Sequence, residues 1–136
     1  MTAEGKKVLI ADDEADVREF IQAALEEDGY SFLTAADGEA ALQIARAKSP
    51  DVIILDVQMP KKTGFQVFEA LRRDNATQSI PVIMLTAVSE RTGIKFDADT
   101  MGEYFGSEPE AYIDKPIDPD KLRETVAELV ELEETE

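Results

Sequence analysis

The sequence predicts an α/β fold in which helices cover both faces of a five-stranded parallel sheet. Two observations carry this. Short apolar runs alternate with amphipathic stretches along nearly the whole chain. Three of the runs are continuously apolar and rich in β-branched residues, as a strand buried on both faces must be. The runs lie at 8–11 (VLIA), 32–35 (FLTA), 52–55 (VIIL), 82–85 (VIML) and 111–113 (AYI).

Taken in order, the first run is followed by Val17, Phe20, Ile21, Ala24 and Leu25, spaced i, i+3, i+4, i+7, i+8, and Gly29 supplies the stop of that helix. After the second run, Asp37 can cap a helix carrying Ala41, Leu42 and Ala45. After the third, residues 64–73 place Phe65, Phe68 and Leu71 on one side, both phenylalanines being expected in the core. Between the fourth and fifth runs, 91–110 contains Gly93, Gly102, Gly106 and Pro109, so the fourth-helix region is predicted to be irregular and extended. The last helix is the clearest: Asp118 as N-cap, Pro119 at the first helical position, and Leu122, Val126, Leu129 and Val130 as the buried stripe. Strands joined by helices through short links fit a flavodoxin-like, doubly wound sheet of order 2-1-3-4-5. Residues 1–136 read as a single domain, with 1–5 and 133–136 expected to fray.

Composition narrows the chemistry. No cysteine is present, which excludes disulfides, thiolate zinc sites and cysteine nucleophiles; no histidine is present, which excludes histidine bases and histidine metal sites. The net charge is −16, with residues 97–136 contributing −11 of it. Neither nucleic acid nor an anionic membrane is an expected partner, because both need a Lys/Arg surface. No apolar run approaches the ~20 residues of a membrane helix, and a cytoplasmic protein is expected.

In a doubly wound sheet the site lies beyond the carboxyl ends of the strands. The first run closes on Asp12-Asp13, the third on Asp56 and the fourth on Thr86, and the fifth is followed by Lys115-Pro116. By itself an acidic pair can simply begin a helix, where acids suit the dipole. Three carboxylates converging at one edge repel, however, and a hard divalent cation with a nearby ammonium relieves that. A carboxylate so placed can act as a nucleophile toward phosphorus.

This constellation resembles the receiver domain of two-component response regulators over residues 6 to about 132. Asp12 and Asp13 resemble the family's acidic pair, Asp56 its phosphoacceptor, Thr86 its switch hydroxyl, Tyr112 its switch aromatic, Lys115-Pro116 its lysine and following proline. Gly64, after the loop at 59–62, also fits. The resemblance implies that a histidine kinase or phosphotransfer protein donates a phosphoryl group to Asp56. It also implies Mg2+ held by Asp13, Asp56 and the backbone carbonyl of Gln58, with Asp12 acting through water. Intrinsic self-phosphorylation and autodephosphorylation are the only activities it implies, with Thr86 and Lys115 recruited by the phosphoryl oxygens and Tyr112 turning inward to remodel a surface for a downstream protein. Gln58 and Val88 occupy positions that tune phosphoryl lifetime in the family. Thr86 and Lys115 are 29 positions apart, several more than the family pattern, so 91–110 is expected to be a partner-specific surface in place of the usual helix. A monomer or weak dimer is expected, and the acidic tail at 131–136 reads as a natural end of a stand-alone receiver, the alternative being a piece cut from a longer regulator. Two alternatives share parts of the pattern: a pseudo-receiver that binds without being phosphorylated, and a phosphatase of the haloacid-dehalogenase type. The latter places its nucleophile on the first strand, whereas the lone aspartate here closes the third.

Overall fold

The computed structural model describes residues 6–59, 62–87 and 109–134. Five strands, β1 (Lys7–Ala11), β2 (Ser31–Ala35), β3 (Val52–Asp56), β4 (Val82–Ala87) and β5 (Ala111–Lys115), form one sheet in the order β2-β1-β3-β4-β5. All four pairings are parallel. The helices are α1 (Ala15–Leu25), α2 (Gly38–Lys48), α3 (Gly64–Arg73) and α4 (Pro119–Glu134).

Alternation along the strands divides the core in two. Leu9, Ala11, Ile53, Leu55, Val82 and Met84 point to one face, where Ala41, Leu42 and Ala45 of α2 and Val67, Phe68 and Leu71 of α3 cover them. Val8, Ile10, Val52, Ile54, Ile83 and Leu85 point to the other, beneath Ile21 and Leu25 of α1 and Leu122, Val126, Leu129 and Val130 of α4. The central strand β3 is buried throughout, which is why its sequence is continuously apolar until Asp56.

Local sequence fixes the helix ends. The Asp37 carboxylate accepts the Ala40 N–H at 2.8 Å. Thr63 and Gln66 form a reciprocal capping box at the start of α3: Thr63 Oγ1 accepts the Gln66 N–H and Gln66 Oε1 accepts the Thr63 N–H. Asp118 accepts the Asp120 N–H at 2.9 Å. Gly29, at φ 87°, closes the short 3-10 turn that follows α1, in the left-handed region where glycine carries no penalty.

One expectation, that both Phe65 and Phe68 lie in the core, is corrected in part. Phe65 is partly buried at the edge of the α2–α3 core, while Phe68 is fully buried. Phe20, on the apolar side of α1, is 43% exposed, because only Ile21 and Leu25 of α1 are fully covered by the sheet and α4. Helix α4 runs to Glu134. Of the segment 91–110 only Pro109 and Glu110 are described. The expectations for 1–5, for 91–108, for Val88 and for 135–136 lie outside the described residues.

Glu110 ties the entry of β5 into the opposite edge of the sheet from the acidic strand ends. Its carboxylate accepts from Arg72 Nη2 at 2.8 and 3.0 Å and from the Val82 N–H at 2.7 Å. Arg72 also donates to the Ile80 carbonyl at 2.9 Å and stacks over the Phe68 ring at 4.6 Å.

Candidate functional site

Each site residue is delivered by the end of a strand. β1 stops at Ala11, and Asp12 is turned fully into the protein while Asp13 faces solvent. The Asp12 turn is braced: its Oδ1 accepts the Glu14 N–H at 2.9 Å, and its carbonyl accepts from Arg18 Nη1 at 2.7 Å. β3 ends in Asp56, which is 4% exposed. A carboxylate oxygen from each of Asp12, Asp13 and Asp56 lies within 4.8 Å of the others.

Lys115, at the end of β5, completes the cluster. Its Nζ donates to Asp56 Oδ1 at 3.1 Å and to Asp12 Oδ2 at 3.2 Å. The peptide bond from Lys115 to Pro116 is cis. Around these groups lies an open cleft of about 500 Å3, lined by Asp13, Glu14, Asp56, Gln58, Met59 and Lys115.

The electrostatics follow from crowding. Burial, and then the neighbouring Asp12 charge, push the Asp56 carboxyl up to about 6, with Lys115 opposing them and Asp13 adding a smaller push. For Lys115, burial alone would favour the neutral amine. The Asp56 and Asp12 carboxylates outweigh it, and the ammonium titrates above its ordinary value. Asp56 is therefore ionised at neutral pH, in a place that penalises its charge. A further cation would relieve the penalty. The donors are all hard oxygens, which fits Mg2+ and excludes a soft-metal site.

Thr86 and Tyr112 lie on the neighbouring pair of strands. Thr86 is fully buried and its Oγ1 donates to Asp114 Oδ1 at 3.1 Å. Tyr112 pairs in register with Met84 and packs, partly buried, against the core beneath α2 and α3. Gln58 is exposed on the rim of the cleft. Sequence reasoning did not single out Asp114, Glu14 or Met59. For Asp114 a signal existed: pairing the fourth and fifth runs in parallel puts it beside Thr86.

The start of α3 is pressed against the end of β3. The Gly64 N–H donates to the Val57 carbonyl at 2.7 Å, and a Cβ at Gly64 would collide with the Asp56 carbonyl oxygen. That close approach explains the glycine noted in the sequence.

The model of the response regulator receiver domain family matches residues 8–127. The chain belongs to that family. Receivers are the phosphoaccepting modules of two-component signalling, which take a phosphoryl group from a histidine-kinase-type partner, and the Asp12, Asp13, Asp56 cluster is consistent with a phosphoacceptor site. Among curated proteins, the phosphate regulon transcriptional regulatory protein of Pseudomonas aeruginosa is 41% identical over 125 residues, covering 92% of this chain and 50% of that protein. The alkaline phosphatase synthesis transcriptional regulatory protein of Bacillus subtilis is 38% identical over 121 residues, covering 89% and 47%. The chain thus spans about half the length of the curated relatives it matches. Among solved structures, a Francisella response regulator receiver domain superposes with a TM-score of 0.78 at 31% identity, covering 93% of this chain and 98% of that one. A chemotaxis response regulator of Vibrio cholerae superposes with a TM-score of 0.77 at 33% identity, covering 92% and 98%. Among the described residues of this receiver, no helix is long and apolar enough to cross a membrane.

Proposed function

We propose that residues 1–136 act as one receiver in which Asp56 is the phosphoacceptor, and that the modification is Mg2+-dependent. The observation that supports this best is the pairing of one lysine with two buried carboxylates at the switch point of the sheet. Asp13, Asp56 and the Gln58 carbonyl would hold the ion, with Asp12 reaching it through water; bound there, Mg2+ would neutralise charge on the incoming phosphoryl oxygens.

The protein's own residues account for the rest. An Asp56 carboxylate oxygen attacks phosphorus, a P–O bond forms, and the bond to the donor histidine nitrogen breaks, the nitrogen keeping its electron pair and taking up a proton. Lys115 neutralises the phosphoryl charge from one side, and the Thr86 hydroxyl donates to a phosphoryl oxygen once it reaches the site. Hydrolysis later returns the carboxylate as water attacks phosphorus. Thr86 and Tyr112 would couple this event to the surface around β5, where a downstream protein binds. The donor would be a histidine kinase or phosphotransfer protein, in the cytoplasm, and the receiver a monomer or weak dimer.

The test is intact mass after incubation with acetyl phosphate, with and without Mg2+, beside Asp56→Ala. A single Mg2+-dependent phosphoryl adduct, absent in the variant, is expected. No adduct, under conditions where another receiver labels, would overturn the proposal and favour a pseudo-receiver.

A further inference from the structure

We propose that Asp114 is a positioning residue that holds the Thr86 hydroxyl in the unmodified receiver and so sets how readily phosphorylation throws the switch. The inference rests on the receiver function proposed above, and concerns a residue to which that function gives no part. β4 and β5 pair in parallel with Thr86 opposite Asp114, so the two side chains emerge on the same face of the sheet. Thr86 is fully buried, and a buried hydroxyl needs a partner. The partner is Asp114 Oδ1, at 3.1 Å.

A threonine hydroxyl has one proton to give, and an ionised carboxylate can only accept. Thr86 therefore cannot donate to Asp114 and to a phosphoryl oxygen on Asp56 at once. Asp114 and the phosphoryl group are rival acceptors for the same proton, and every turn of the switch must break the Thr86–Asp114 bond. Asp114 is exposed, so water satisfies its carboxylate once Thr86 leaves. The cost of release thus falls on the lost bond rather than on a stranded charge. Successive strand residues point to opposite faces, so Asp114 can hold Thr86 while Lys115, the next residue, serves the acceptor.

Two effects would follow from removing Asp114, and they separate cleanly. Asp114→Ala removes both the rival acceptor and a negative charge near the phosphoryl group. Asp114→Asn removes only the charge and keeps an acceptor oxygen. The measurement is the affinity of the Mg2+-loaded protein for beryllium fluoride, a mimic of a phosphoryl group on a carboxylate, followed by amide NMR, together with acetyl phosphate labelling by intact mass. Asp114→Ala is expected to bind about five- to tenfold more tightly than the parent chain, the range set by the loss of one hydrogen bond of ordinary net strength to a solvent-exposed carboxylate. Asp114→Asn is expected to stay nearer the parent. In a Thr86→Val background the Asp114→Ala effect should vanish, since the contested proton is gone. Equal tightening by Ala and Asn, or the same tightening with Val at 86, would overturn the positioning role while leaving the receiver function standing. Failure of the parent chain itself to label or to bind beryllium fluoride would overturn both.

Discussion

The Lys115 ammonium lies 3.1 Å from the Asp56 carboxylate, although the two residues are 59 positions apart in the chain. The attraction offsets only part of what burial and Asp12 impose, since the Asp56 carboxyl still titrates at about 6. Asp56 is thus held ionised at neutral pH by a balance, and the balance can be tilted from either side.

Removing the Asp56 charge should stabilise the metal-free protein in a pH-dependent way. The folded-state pKa of about 6 lies above the ordinary value of 3.8, so the folded form binds more protons between the two. The stabilisation that this protonation gives is complete below pH 3.8 and is lost as pH rises through 6. At neutral pH an ionised Asp56 then costs about 3 kcal/mol, at about 1.4 kcal/mol per unit of pKa. Asp56→Asn should gain about 1–3 kcal/mol at pH 8 and almost nothing at pH 4. Urea unfolding of both proteins in chelator, across that range, checks this; a gain independent of pH would contradict it.

Lys115→Met leaves two buried carboxylates facing one another without their shared cation. The Asp56 pKa should move further up, and phosphoryl uptake from acetyl phosphate at pH 7 should fall about 100- to 1000-fold, the usual loss when one charge-stabilising group leaves such a site. NMR titration of the Asp56 side chain and the labelling rate measure the two separately.

Mg2+ should raise the thermal midpoint of the parent chain by a few degrees, saturably, as a ligand of the folded state only. Asp13→Ala should flatten that response, because Asp13 is the solvent-facing member of the carboxylate trio. Asp16→Ala, which removes an acid outside the trio, should leave it intact. Differential scanning fluorimetry with Mg2+ and with chelator reads all three.

Glu110 supports a different part of the molecule. Glu110→Ala strands the Val82 N–H and half of the Arg72 fork, and should destabilise the fold by about 1–2 kcal/mol. Glu110→Gln keeps an acceptor for the Val82 N–H and should recover part of that loss. Chemical denaturation gives both values, and acetyl phosphate labelling of Asp56 should be unchanged, since Glu110 sits at the far edge of the sheet.

The sheet was legible because burial on both faces writes itself as uninterrupted runs such as VIIL at 52–55, which no helix face requires. The convergence of Asp12, Asp13, Asp56 and Lys115 was legible for a related reason: strand order alone decides which run ends become neighbours. Phe65, expected in the core, is only partly buried: periodicity shows which side of a helix is apolar, not how much of that side a neighbour covers. Asp114 and Glu110 were passed over for another reason, although pairing the fourth and fifth runs in parallel would have placed Asp114 beside Thr86. Each matters through a partner fixed by register, Thr86 across the strand pair and the Val82 N–H at its start, and an exposed acid carries no mark of that partner in its own neighbourhood of the sequence.

The contact between Gly64 and the backbone of Asp56 means that the position of the Asp56 carboxylate depends on a residue with no side chain at all. A methyl group there would act as a wedge, displacing the end of β3 rather than any reacting group. Gly64→Ala should therefore behave as a signalling lesion whose origin is wholly mechanical: the chemistry of every charged group would be preserved, and only their spacing lost.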